Sequence, residues 1–85
     1  MKEFSYVIKD ELGIHARPAG LLAKEAKGFA SVVTVAKNGT AVKATQLMKL
    51  MSLGVKKGDE VVVAAEGPDE EAAAAALKAF FEANL

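Results

Sequence analysis

The segment Gly13-Ile14-His15-Ala16-Arg17-Pro18 gathers the residues of this chain best suited to chemistry: its single histidine, an arginine two positions on, and a proline after that. Ala16, Ala19, Leu22, Ala23, Ala26 and Phe29 recur at helical spacing opposite Arg17, Lys24 and Lys27, which predicts a helix from Ala16 to a stop at Gly28 and puts His15 at its mouth. The first amides of a helix have no partner within it and carry roughly half a positive charge, so that end is a ready anion site. Arg17 adds a guanidinium fork able to take two phosphate oxygens. Pro18 fixes the first turn where a missing N–H sacrifices nothing. Imidazole titrates near neutrality and so offers a nucleophilic nitrogen at pH 7, and a phosphoryl group held on nitrogen keeps a good leaving group. The expected chemistry is phosphoryl acceptance and release at His15, assisted by Arg17, with the phosphate framed by Ala16, Arg17 and Pro18. With no carboxylate–metal cluster or second histidine evident, neither a metal nor a cofactor is expected. Taken singly, His15 fits a helix cap or a merely exposed side chain as well, and Arg17 fits a solvated helix residue.

The elements that must position this segment follow from period and punctuation. Phe4, Tyr6 and Ile8 alternate with polar neighbours, predicting a strand over 3–9. Valine-rich 31–37 and the run 40–43 flank Asn38-Gly39, the strongest signal for a two-residue hairpin turn. Thr45 is expected to cap a short helix running through Met51, with Gly54 closing it. Glu60 to Glu66 reads as a largely buried strand, and Pro68 with Asp69, Glu70 and Glu71 opens a last helix reaching about Asn84. The order βαββαβα implies an α+β open-faced sandwich: a four-stranded, mainly antiparallel sheet covered on one face by three helices, with the two helical crossovers leaving room for parallel neighbours.

Eighty-five residues fit a single domain, 1–85, with no space for a second core. Eleven basic and eleven acidic side chains give zero formal charge, which removes the field for non-specific binding to nucleic acid or anionic lipid. Cysteine is absent, excluding disulfide scaffolds, thiolate metal sites and thiol catalysis. No stretch nears the roughly 20 apolar residues that cross a bilayer, so a cytoplasmic protein is expected.

Gly13-Ile14-His15-Ala16-Arg17-Pro18-Ala19, the Asn38-Gly39 turn, Met48, Met51-Ser52-Leu53-Gly54 and Ala65-Glu66-Gly67 together resemble HPr, the histidine-containing phosphocarrier family of the bacterial phosphoenolpyruvate-dependent sugar phosphotransferase system. The resemblance spans nearly the whole chain. It implies that His15 is phosphorylated at Nδ1 by enzyme I and passes the group to IIA components of sugar permeases, Arg17 assisting, without independent enzymatic turnover. It further implies a docking surface built from Ala16, Arg17, Gly20, Leu21, Lys24, Lys27, Leu47, Met48, Lys49 and Met51; a domain of 8.9 kDa with one modest apolar patch of this kind is expected to be a monomer. For Leu50 and Met51 a core role is an equal expectation, and Met48 is the better surface candidate.

Two positions depart from the family pattern. Where Gram-positive members often carry a regulatory serine this chain has Gln46, so modification by HPr kinase/phosphorylase is expected to be absent or moved to Thr45. Leu12 replaces a commonly polar residue three before the histidine, leaving backbone or water to orient the imidazole. Rival readings are a regulatory paralogue, a type that lacks the histidine; a nitrogen-branch carrier with the same chemistry and another partner; and a small nucleic-acid-binding domain, disfavoured by zero net charge and few aromatics.

Overall fold

Valines and alanines at alternating positions can line one side of a sheet while their neighbours face outward, and the four strands here use that period. The computed structural model describes residues 1–85 as β1 (Lys2–Val7), α1 (Ala16–Lys27), β2 (Val32–Lys37), β3 (Thr40–Lys43), α2 (Leu47–Ser52), β4 (Glu60–Glu66) and α3 (Glu70–Asn84). The strands form one sheet in the order β1-β4-β2-β3, and every neighbouring pair is antiparallel. Asn38 and Gly39 both adopt positive φ, as the tight β2–β3 turn requires.

No parallel neighbours arise, and the topology gives the reason. The crossover through α1 does set β1 parallel to β2, and the one through α2 sets β3 parallel to β4. In each case an antiparallel strand lies between the two: β4 separates β1 from β2, and β2 separates β3 from β4. In β4 only Val61, Val63 and Ala65 are buried; Val62 and Ala64 face the open side and are half-buried, so the strand is covered on one face rather than both. Val33 and Val35 of β2 join that buried layer. Leu22, Ala19 and Ala26 of α1, Leu50 of α2, and Ala73, Leu77 and Phe81 of α3 meet it from above. Phe81 lies edge-on to Phe4 and Tyr6, with ring centroids 6.0 and 5.6 Å apart, pinning α3 over the β1 edge.

Element ends depart from the sequence expectation where side chains or turns recruit backbone groups. The first strand stops at Val7 because Ile8 N–H is donated to Asp59 O and the next two amides to Leu85 O. Pro68 lies in the turn, outside α3. Asp69 is the N-cap, and its carboxylate reaches across to accept from the backbone N–H of Ala30 and Ser31 and from the Ser31 hydroxyl. Gly67, at φ 155°, passes so close that a β-carbon would lie 2.6 Å from Ser31 Cα. A second tie joins Lys37 Nζ to Asp59 at 2.9 Å and to Gly54 O at 2.8 Å. No helix is long and apolar enough to cross a membrane.

The Ser31 hydroxyl, followed by the Ala30 amide, holds the Asp69 carboxyl below its ordinary value of 3.8. A depressed carboxylate stabilises the fold above its unfolded pKa and loses that contribution as pH falls through the lower, folded one. Asp69→Ala should therefore lower Tm at pH 7, with the gap to the parent shrinking as pH drops below about 3.8. Thermal melts across pH 2 to 7 check this, and a pH-independent gap would contradict it.

Candidate functional site

His15 ends the loop that leaves β1, and local chemistry fixes its position. Gly13 turns the chain at φ 65°, its amide bonded to Asp10 O at 3.0 Å, and Ile14, buried, donates its N–H to Val55 O. The Asp10 carboxylate accepts Leu12 N–H at 3.0 Å. Lys9 and Asp10 amides both bond Leu85 O at the end of α3. His15 then takes the N-cap position of α1 in extended conformation, its carbonyl accepting the Ala19 amide, while its side chain makes no capping bond. The imidazole is thus left free of the helix it introduces.

Ala16 and Arg17 are exposed, and their amides are the ones the helix leaves open. Pro18 has no N–H and Ala19 is already bonded. Of the phosphate-framing residues, Ala16 and Arg17 therefore offer donors, and the buried Pro18 offers shape. His15, Arg17, Pro18 and Leu21 line a cleft of about 270 Å³ together with Asp10, Ala83 and Asn84. Three of these were not read as site residues from the sequence. Ala83 and Asn84 come from the end of α3, and their nearness follows from the Leu85 contacts, which no local pattern signals. Asp10 carries no local signal because its loop lacks a period. Its Oδ2 lies 3.7 Å from His15 Nε2, so a carboxylate, not only backbone or water, faces the ring on the side away from Nδ1.

The expected docking residues lie on α1 and α2, which pack side by side. Ala16, Arg17, Leu21, Lys24 and Lys27 on α1 and Leu47, Met48, Lys49 and Met51 on α2 are exposed, with Gly20 half-buried. Met48 is 77% exposed and Met51 39%, whereas Leu50 is fully buried, which divides that pair of residues between surface and core. The cap of α2 is corrected: it is Gln46, with no side-chain bond, and Thr45 lies one residue earlier in the turn. Ala44, buried, still donates to Val33 O as an extension of the β2–β3 ladder, so the chain cannot begin its helix as early as Thr45.

A histidine at an open helix start, an arginine beside it, and a one-sided βαββαβα sandwich define a small phosphocarrier domain. Residues 2–83 match the family model described as PTS HPr component phosphorylation site, and the chain belongs to this HPr family of the phosphotransferase system. It is 48% identical over 85 residues to the phosphocarrier protein HPr of Mycoplasma genitalium, covering 99% of this chain and 97% of that one. The crystal structure of HPr-C-His from Thermoanaerobacter tengcongensis superposes with a TM-score of 0.93 at 44% identity, over 98% of this chain and 93% of that one. The catabolite repression protein Crh of Bacillus subtilis, crystallised as a swapped dimer, has a TM-score of 0.79 at 39% identity, over 94% and 92%.

A β-carbon on Gly13 would lie 2.1 Å from Val55 O and 2.7 Å from Lys56 Cα, both backbone. Gly13→Ala must therefore displace the loop beneath His15 and strain a positive φ, at about 1–3 kcal/mol. A drop in Tm with shifted His15 ring resonances is expected; an unchanged spectrum would show that the loop tolerates the side chain.

Proposed function

We propose that His15 accepts a phosphoryl group at Nδ1 from enzyme I, itself charged by phosphoenolpyruvate, and passes it to IIA components of sugar permeases. The observation that carries this reading is the uncapped His15 ring sharing a cleft with Arg17 at the start of α1, where the Ala16 and Arg17 amides have no partner within the helix. Nδ1 attacks phosphorus, while the amides and the guanidinium take up the charge of the phosphoryl oxygens. The reverse step needs only a partner with its own acceptor. The protein is thus a carrier without turnover of its own, working in the cytoplasm as a monomer.

Docking falls to Ala16, Arg17, Gly20, Leu21, Lys24, Lys27, Leu47, Met48, Lys49 and Met51. Lys24, Lys27 and Lys49 take part in no ion pair, so this face suits acidic partners. The flexible, polarizable methionines adapt it to more than one of them. Because Gln46 has no hydroxyl, regulation by HPr kinase/phosphorylase is absent and Thr45 serves the turn.

Intact mass after incubation with enzyme I, phosphoenolpyruvate and magnesium should rise by one acid-labile phosphate, and the His15→Ala variant should show none. No gain, with enzyme I verified on a known carrier, would overturn the reading. In a parallel reaction, HPr kinase and ATP should leave the mass unchanged; an acid-stable phosphate on Thr45 would refute the claim of absent regulation.

A further inference from the structure

We infer that Asp10 is a positioning residue for phosphoryl transfer: its carboxylate keeps the ring proton of His15 on Nε2 and leaves the Nδ1 lone pair available. This rests on the carrier reading above. The geometry lies in one loop. Asp10 Oδ2 stands 3.7 Å from Nε2, too far for a hydrogen bond but close enough for its charge to act. A lone pair on Nε2 would face that negative oxygen, whereas an N–H would point its positive end at it. Of the two neutral tautomers, the one with Nε2–H is therefore favoured.

The carboxylate is not free to wander. The same Oδ2 accepts Leu12 N–H, and the Asp10 backbone is fastened through its amide to Leu85 O at 2.8 Å. A chain of contacts thus runs from the end of α3 through Asp10 to the imidazole, and it fills the role that the apolar Leu12 side chain cannot. Both groups also line the same cleft as Arg17.

The arrangement serves both directions of transfer. On acceptance, the Nδ1 lone pair forms the bond to phosphorus, and the donor's bond to phosphorus breaks with its electron pair leaving on the donor. The Nε2 proton stays, so the ring becomes a phosphoryl imidazolium whose positive charge faces Asp10. On donation, the N–P bond breaks, its pair returns to Nδ1, and the ring is again neutral with Nε2–H. No proton need be moved by another group in either step.

Asp10→Asn removes the charge but keeps an oxygen for Leu12 N–H, whereas Asp10→Ala removes both. The tautomer of the neutral His15 ring is read by long-range ¹H–¹⁵N NMR on the full chain, alongside the rate of phosphorylation by enzyme I and the Tm. We expect Nε2–H in the parent and, in Asp10→Asn, a tautomer ratio moved toward Nδ1–H and slower acceptance, each by about two- to fivefold, the range set by exposed charge pairs, with Tm held. A dominant Nδ1–H form in the parent would overturn the proposal. So would an Asp10→Asn variant that matches the parent while Asp10→Ala differs, since Asp10 would then only support the loop. If no variant accepts phosphate, the carrier reading fails, and the tautomer ratios still decide the role of Asp10.

Discussion

The backbone of Gly13 runs against Val55 at a separation that excludes any β-carbon, and the adjacent Ile14 amide donates to the same Val55 carbonyl. Much of the site's order traces to this contact between the loop after β1 and the segment before β4. It buries Ile14 beside the core, which in turn sets where the chain can enter α1 and which way His15 leaves the backbone. A loop free to move would scatter the ring, Asp10 and the first amides of α1 over many arrangements, and the electrostatic gain from holding donors ready would be spent on ordering them. Because the contact is made by backbone atoms, side-chain exchange on the surface can proceed without disturbing it.

A domain of this size has little apolar surface to spare, yet α2 leaves Leu47, Met48 and Met51 in water and inserts only Leu50. The helix is six residues long, too short to be stable by itself, so its place depends on Leu50 and on the packing against α1 and β3. Stability is recovered elsewhere. Small residues at Ala19, Ala23 and Ala26 bring α1 close to the layer beneath it, and polar ties at Asp69–Ser31 and Lys37–Asp59 fasten the ends of elements that the core does not reach.

The sequence made the element order legible because periods and punctuation are local: alternating Phe4, Tyr6 and Ile8, the Asn38-Gly39 turn, and the helical recurrence from Ala16 to Ala26. His15, Arg17 and Pro18 were legible for the same reason, as neighbours on one helix start. What escaped depends on distant partners. Asp69 caps α3 while spending its carboxylate on residues 30 and 31, so Pro68 is displaced from the helix although every local cue favours it. Strand adjacency escaped because β4 enters between two strands already laid down. Asp10 and the end of α3 escaped because they meet His15 only after the loop closes on Leu85.

That insertion of β4 has a consequence for how the molecule is made. β1 leaves the ribosome ahead of the other three strands and finds its one ladder partner in residues 60–65, so it must wait with an unpaired edge until β4 has been made. The β2–β3 hairpin can form early, but neither it nor α1 has a finished surface to rest on until β4 arrives and joins both halves of the sheet. Pairings so distant along the chain slow folding and couple it across the whole domain. Truncated nascent chains should therefore hold little persistent structure, and the histidine should gain its environment in the same cooperative event that completes the sheet.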